Sequence, residues 1–244
     1  VSGEEQVIGL DYNRKAEDLS ASFPDPSPDC DLCPRLHNFI QEWRKKEPSW
    51  YNAPIKPFLP QGGLKFVRLL LAGLAPGLRG ANRTGRPFTG DYAGVLLYET
   101  LKKYNFAEGE YRERPDDGLQ LREAAIVNSV RCVPPQNKPL GAEINNCRRY
   151  LKPYLCDLPN VQVIVTLGKI AHESTLRAMG LRVADYPFAH GRIADIERPQ
   201  SKGGALRLIS SYHCSRYNTN TGRLTEKMFH DVFASARAYL DSRE

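Results

Sequence analysis

No run of ~18 apolar residues occurs in the 244-residue chain, so no membrane span is expected. The opening residues Val1-Ser2-Gly3-Glu4-Glu5 are acidic and polar, unlike a secretory signal, and a cytoplasmic location is expected by default. There is no internal repeat, no low-complexity tract and no linker-like stretch dividing the middle of the chain. A Lys-Ser/Thr phosphate loop and the spacing of a dinucleotide fingerprint are both missing. Only one short cysteine knuckle is present, whereas a structural zinc site usually pairs two.

What is there fits one large α/β domain. Hydrophobic residues make up 41% of the chain, enough for a sizeable core. The net charge of +6 suits a polyanionic partner such as nucleic acid, and equally a merely basic protein. Residues 1–29 are polar and irregular, ending in Pro24-Asp25-Pro26-Ser27-Pro28, and read as a lead-in arm. Residues 30–46 resume a helical pattern with Leu36, Phe39, Ile40 and Trp43 on one face, followed by a proline-rich loop from Pro48 to Pro60. Short apolar runs at 67–72, 124–127, 161–167 and 206–210 read as buried strands. Helical patterns stand between and after them: around 95–101, over 142–155, from Gly168 to near Gly180, and through Phe229, Val232, Phe233, Ala236 and Leu240. This alternation predicts a central, mainly parallel four-stranded sheet flanked by helices. Ligands in such sheets bind beyond the carboxyl ends of the strands. Those ends carry Gly73–Gly77, Asn128, Gly168 and Tyr212–Ser215.

Six cysteines in a cytoplasmic chain point to metal or redox chemistry more than to disulfides. Cys30-Asp31-Leu32-Cys33 forms the knuckle, and Cys132, Cys147, Cys156 and Cys214 follow at long intervals. A lone CxxC in a proline-rich arm is a poor redox pair. An iron–sulfur cluster needs four thiolates and tolerates uneven spacing. Arg35, Arg131, Arg148 and Arg149 lie near these cysteines, and cations stabilise an anionic cluster. Buried free thiols are the alternative.

After the first strand comes Gly73-Leu74-Ala75-Pro76-Gly77, continued by Gly80-Ala81-Asn82-Arg83-Thr84-Gly85-Arg86-Pro87-Phe88-Thr89-Gly90-Asp91. Its glycines let backbone approach a ligand closely. Arg83 and Arg86 suit phosphate contacts, and Phe88 suits stacking on a flat base. A structural loop with a core phenylalanine is the competing reading.

The run GLAPGLRGANRTGRPFTGD resembles motif A of the iron–sulfur uracil-DNA glycosylases, specifically the type B group (family 5). Ser211-Tyr212-His213-Cys214-Ser215-Arg216-Tyr217-Asn218-Thr219-Asn220-Thr221-Gly222-Arg223-Leu224-Thr225 is similar to the second motif, and Val127–Cys132 resembles the intervening strand end. The likeness spans roughly residues 28–240. It implies a uracil-DNA glycosylase fold over residues 30–244. It also implies a [4Fe–4S] cluster on Cys30, Cys33, Cys132 and Cys147, leaving Cys156 and Cys214 outside. The implied enzyme is a monofunctional, monomeric glycosylase that binds double-stranded DNA and extrudes the damaged base. It would cleave uracil and other deaminated or damaged bases (hypoxanthine, xanthine, ethenocytosine) for base excision repair, on the nucleoid if prokaryotic.

Roles follow from the chemistry. Base cleavage develops negative charge on the leaving base and positive charge on the sugar. The resemblance implies that His213 donates a hydrogen bond to the departing base. Asn128 is expected to position the water or read the base edge, since its amide donates and accepts. Many superfamily members carry Asp or Asn where this chain has Ala75, so water activation falls to Asp91, whose other role would be a helix N-cap. Gly73, Ala75, Gly77, Asn82 and Phe88 are the candidate substrate pocket. Strict uracil enzymes of the superfamily have tyrosine at the Gly77 position. Its absence predicts a roomy pocket, unless Gly77 only permits a tight turn. Ser215, Arg216, Tyr217 and Asn218 are expected to enter the duplex, with Arg83, Arg86 and Arg223 on phosphates. Relatives read His-Pro-Ser where this chain has His213-Cys214-Ser215; without the proline the loop is expected to be less rigid. A non-catalytic iron–sulfur DNA-binding protein is the alternative, kept open by Ala75. A redox carrier is disfavoured by the long arginine-containing loop.

Overall fold

The computed structural model describes residues 23–198 and 205–243. Most of the expected arm, residues 1–22, lies outside the described residues; its end does not float free. Phe23 is buried against Tyr154, with ring centroids 5.1 Å apart, and Asp29 pairs with Arg44.

Helix α1 (Pro34–Lys46) starts on a proline, whose missing N–H costs nothing in a first turn, and ends in Arg44, Lys45 and Lys46, which suit the negative end of the helix dipole. It buries Leu36 and Ile40, while Trp43 stacks on Trp50 at 5.3 Å. Strands β1 (Leu69–Gly73), β4 (Ala124–Asn128), β5 (Val163–Leu167) and β7 (Leu206–Ser211) form the parallel body of the sheet. A small antiparallel pair, β2 (Ala107–Glu108) with β3 (Gln120–Leu121), stands apart from it. The main sheet runs β4-β1-β5-β7-β6 and has five strands, not the expected four. The addition is β6 (Ile193–Ile196), an antiparallel edge strand with mostly solvated side chains, so it has no apolar run to announce it.

Side chains alternate across the sheet. Leu69, Leu71, Ile126, Val163 and Val165 face a core closed by α3 (Tyr92–Lys103) and α7 (Glu226–Asp241), through Leu97, Leu101, Phe229 and Phe233. Leu70, Val127, Ile164 and Leu208 face the other way, onto Leu151 and Leu155 of α4 (Gly141–Cys156) and Leu176 of α5 (Lys169–Ala178). A third cluster joins Leu36 and Ile40 of α1 to Val130, Val133, Cys132 and Cys147. Among the described residues no helix is long and apolar enough to cross a membrane.

Candidate active site

Four parallel strands bring their carboxyl ends to one rim of the sheet. The loops after β1, β4 and β7 enclose a cavity of about 400 Å³ there. Its lining includes Ala75, Gly77, Phe88, Asp91, Asn128 and His213.

The floor is tightly built. Asn128 is 4% exposed, and its Oδ1 has no hydrogen-bond partner among the described residues. A buried acceptor without a partner is costly and calls for a ligand. Gly73 makes room for it: a Cβ there would stand 2.3 Å from Asn128 Oδ1 and 3.2 Å from the Phe88 ring. Phe88 sits at φ 51°, a conformation few non-glycine residues adopt. Its carbonyl accepts from Tyr111 Oη at 3.1 Å, and Gly94 leaves it space, because a Cβ on Gly94 would come within 1.8 Å of that oxygen. The Phe88 ring lies 5.8 Å from His213, tilted 27°. Burial lowers the His213 pKa to about 4, so its imidazole is neutral at physiological pH.

Asp91 is the N-cap of α3: its Oδ1 accepts from the Gly94 N–H at 3.3 Å. It also lines the cavity, so capping and facing the site are not exclusive. Burial raises its pKa, against the lowering pull of the Gly94 and Ala93 N–H groups, and Glu113 adds to the rise. The space beside Gly77 is not empty. A Cβ there would lie 3.1 Å from Asp91 Oδ2, and one on Gly80 only 2.4 Å away.

Two expected site residues are elsewhere. Arg86 is no phosphate contact: it is 6% exposed, with its guanidinium on both Asp117 oxygens at 2.8 and 2.7 Å and its Nε on Thr89 Oγ1 at 2.8 Å. The rings of Phe58, Tyr98 and Tyr111 surround it. Asp117 stays well below the usual carboxylate range: its burial acts upward, but hydrogen bonds from Arg86 and from the Arg112 and Leu119 N–H groups outweigh it. Asn82 does not line the cavity either, although its Oδ1 is buried without a partner among the described residues. Buried in α2 (Ala81–Thr84), it donates to Asn52 Oδ1 at 2.8 Å, and Asn52 in turn donates to Trp43 O and Glu47 O at the end of α1. Arg83 is exposed, with its Nε on Arg79 O at 2.9 Å.

The second motif enters a short helix, α6 (Arg216–Asn220). Ser215 caps it by accepting from the Asn218 N–H at 3.4 Å, and Asn218 Nδ2 donates to His213 O at 2.8 Å. Both residues thus brace the turn that carries His213. Ser215 and Arg216 line the cavity, Arg216 stands 5.1 Å over the Tyr92 ring, and Tyr217 is 72% exposed. The Arg223 guanidinium sits 4.6 Å over the Tyr212 ring. Cys214 does not leave the loop slack: it is fully buried, and its thiol donates to Ala93 O at 3.4 Å.

Cys30, Cys33, Cys132 and Cys147 line one small cavity together with Leu36 and Val130. The Arg131 N–H donates to Cys147 Sγ at 3.3 Å, and Asn146 Nδ2 to Cys33 Sγ at 3.6 Å. Burial, then the neighbouring thiols, pushes the Cys132 thiol far up; burial raises Cys147 to about 11. Among the described residues no three Cys, His, Asp or Glu side chains converge on a single metal ion. N–H donors to sulfur such as those of Arg131 and Asn146 suit thiolates that hold an iron–sulfur cluster. Of the expected cationic surround, Arg35 pairs with Glu143 and Arg131 with Asp25, while Arg148 donates to the neutral amide of Asn145. Cys156 and Cys214 belong to other parts of the core.

A family model described as the Uracil DNA glycosylase superfamily matches residues 60–237, which include every residue lining the cavity and two of the four cysteines that line the smaller one. The Type-5 uracil-DNA glycosylase of Thermus thermophilus is 43% identical over 214 residues, covering 85% of this chain and 92% of its own length. That of Mycobacterium bovis is 36% identical over 217 residues, 85% of this chain and 77% of its own. The Type-4 uracil-DNA glycosylase of Archaeoglobus fulgidus is 30% identical over 158 residues, 64% of this chain and 69% of its own.

Proposed function

The chain belongs to the uracil-DNA glycosylase superfamily, and from that membership and the cavity's chemistry we propose that it hydrolyses the N-glycosidic bond of uracil in DNA. The observation that carries the reading is Asn128: a buried amide oxygen without a partner, facing a cavity beside an aromatic ring and a neutral histidine. Uracil supplies what this floor requires, an N–H for the Asn128 oxygen, a flat face for Phe88 and a carbonyl oxygen for a donor.

The base enters extruded from the duplex. As the C1′–N bond breaks, its electrons move onto the base, and the neutral His213 imidazole donates its N–H to the oxygen where charge gathers. Water attacks C1′, and its proton passes to the Asp91 carboxylate, which as an anion also offsets the positive sugar. Arg83, Arg216, Tyr217 and Arg223 hold the DNA, and Ser215 and Asn218 support the loop between them. The space beside Gly77 belongs to the Asp91 carboxylate, but Ala75 is small and lines the cavity, so hypoxanthine, xanthine and ethenocytosine belong to the substrate range.

Cys30, Cys33, Cys132 and Cys147 hold a [4Fe–4S] cluster in this reading. When bound, it would tie the segment before α1 to the loop after β4 and to α4, and would take no part in bond cleavage.

Abasic-site formation on a uracil-containing oligonucleotide tests the activity. Ala75 favours a second reading, a DNA-binding protein without catalysis, because alanine can neither orient water nor carry charge. Tight binding of uracil-containing DNA with no abasic product would establish that second reading.

A further inference from the structure

One polar residue of the cavity lining has no part in the scheme above. Asn137 follows β4 by nine positions and lines the cavity with His213 and Asn128. Gln136 and Asn137 both adopt φ 56°, two consecutive left-handed residues without glycine. No hydrogen bond among the described residues engages the Asn137 side-chain amide. The backbone just beyond it is fastened hard. Arg35 donates to Lys138 O at 3.1 Å and grips both oxygens of Glu143 at 2.8 Å. Glu143, itself buried, accepts the Leu140 N–H at 2.7 Å. An ion pair between α1 and α4 thus fixes an unfavourable turn whose product is a free amide at the catalytic cavity.

Resting on the glycosylase reading, we propose that Asn137 contacts the sugar–phosphate of the extruded nucleotide, and that Arg35 and Glu143 are its positioning residues. Depth decides between sugar–phosphate and base. Asn128 and Phe88 are buried at the floor, where the base goes, whereas Asn137 is exposed at the mouth, where the backbone of an extruded nucleotide must stay. The amide N–H groups are donors, and phosphate oxygens are strong acceptors.

The test is single-turnover cleavage of a uracil-containing duplex by the full chain, titrated with enzyme. Asn137→Gly removes the amide while suiting the left-handed backbone. It should raise the half-saturating concentration roughly tenfold, with the maximal rate within about threefold, because the contact is the same in ground and transition states. Its melting temperature should match the wild type. Asn137→Asp should bind more weakly than Asn137→Gly, and the gap between them should narrow as salt screens the repulsion. The pair R35Q/E143Q should shift half-saturation in the same direction and add nothing in an Asn137→Gly background. A wild-type-like Asn137→Gly, a loss confined to the maximal rate, a loss that tracks melting temperature, or an Asn137→Asp that binds as well as Asn137→Gly each overturns the assignment. A wild type that leaves uracil uncut overturns the glycosylase reading and this assignment with it; a wild type that cuts, beside an unaffected Asn137→Gly, overturns this assignment alone.

Discussion

At the scale of single residues, His213 has a testable acidity. Its folded pKa of about 4 lies below the ordinary imidazole value, so it stays a neutral donor well into acid. Asp91 shares the cavity, and its raised carboxyl titrates above the usual carboxylate value. The single-turnover rate should therefore show no limb near pH 6.5 and should fall only at lower pH. Asp91→Asn should lower the rate and remove its part of that limb. For stability the sign is fixed: between about pH 6.5 and 4 the unfolded chain binds a proton at His213 that the folded chain refuses, so falling pH in this window disfavours folding. His213→Ala should lose about 100- to 1,000-fold in rate while keeping DNA affinity, measured by single-turnover cleavage beside a binding titration. Arg86 and Arg83 make a contrast within one motif. Arg86→Ala strands the buried Asp117 carboxylate and should cost about 3–5 kcal/mol in denaturant unfolding. Arg83→Ala should leave stability alone and weaken DNA binding in a salt-dependent way.

At the scale of elements, the helix α3 and the loop before it are built around absent side chains. Gly94 lies under the Phe88 carbonyl, and Gly77 and Gly80 make way for the Asp91 carboxylate. Gly94→Ala should push Phe88 out of its place, with losses in both melting temperature and cleavage rate; an undisturbed mutant would show that the loop has slack. Gly77→Tyr meets Asp91 before it meets any base, so it should depress every substrate as well as excluding large ones, as a panel of uracil and hypoxanthine oligonucleotides will report. Such close approaches mark what a sequence can and cannot convey. The four parallel strands and the helices between them were legible because each buries a continuous run or an amphipathic face. Strand β6 was not, because an edge strand can be polar. His213 and Asn128 were legible at strand ends and Phe88 in the glycine-rich segment, and all three line the one cavity. Arg86 and Asn82 lie away from the cavity lining, which the sequence hid because an arginine or asparagine in a glycine-rich loop looks solvated until its buried partner, Asp117 or Asn52, is seen, and those partners lie about 30 residues away in the chain.

At the scale of the whole molecule, the proposed cluster makes one prediction about composition and another about cohesion. Anaerobically purified protein should be brown, with about four irons. Alanine at Cys30, Cys33, Cys132 or Cys147 should lose iron and lower the melting temperature, whereas alanine at Cys156 or Cys214 should leave the iron in place. Stoichiometric zinc without iron would exclude the cluster. The four thiols also carry a consequence for the order of assembly. Two come from before α1 and two from beyond β1 and β4, about a hundred residues or more further on. They can share a cavity only after those two strands have paired in parallel, a slow, non-local step that must close a long loop first. Until then the knuckle and the later cysteines are separate thiols in a half-made chain, exposed to oxidation and unable to bridge. On the cluster reading, cofactor loading follows closure of the sheet, and a cell that makes this protein faster than the sheet can close would accumulate colourless chains in which the sheet is still open.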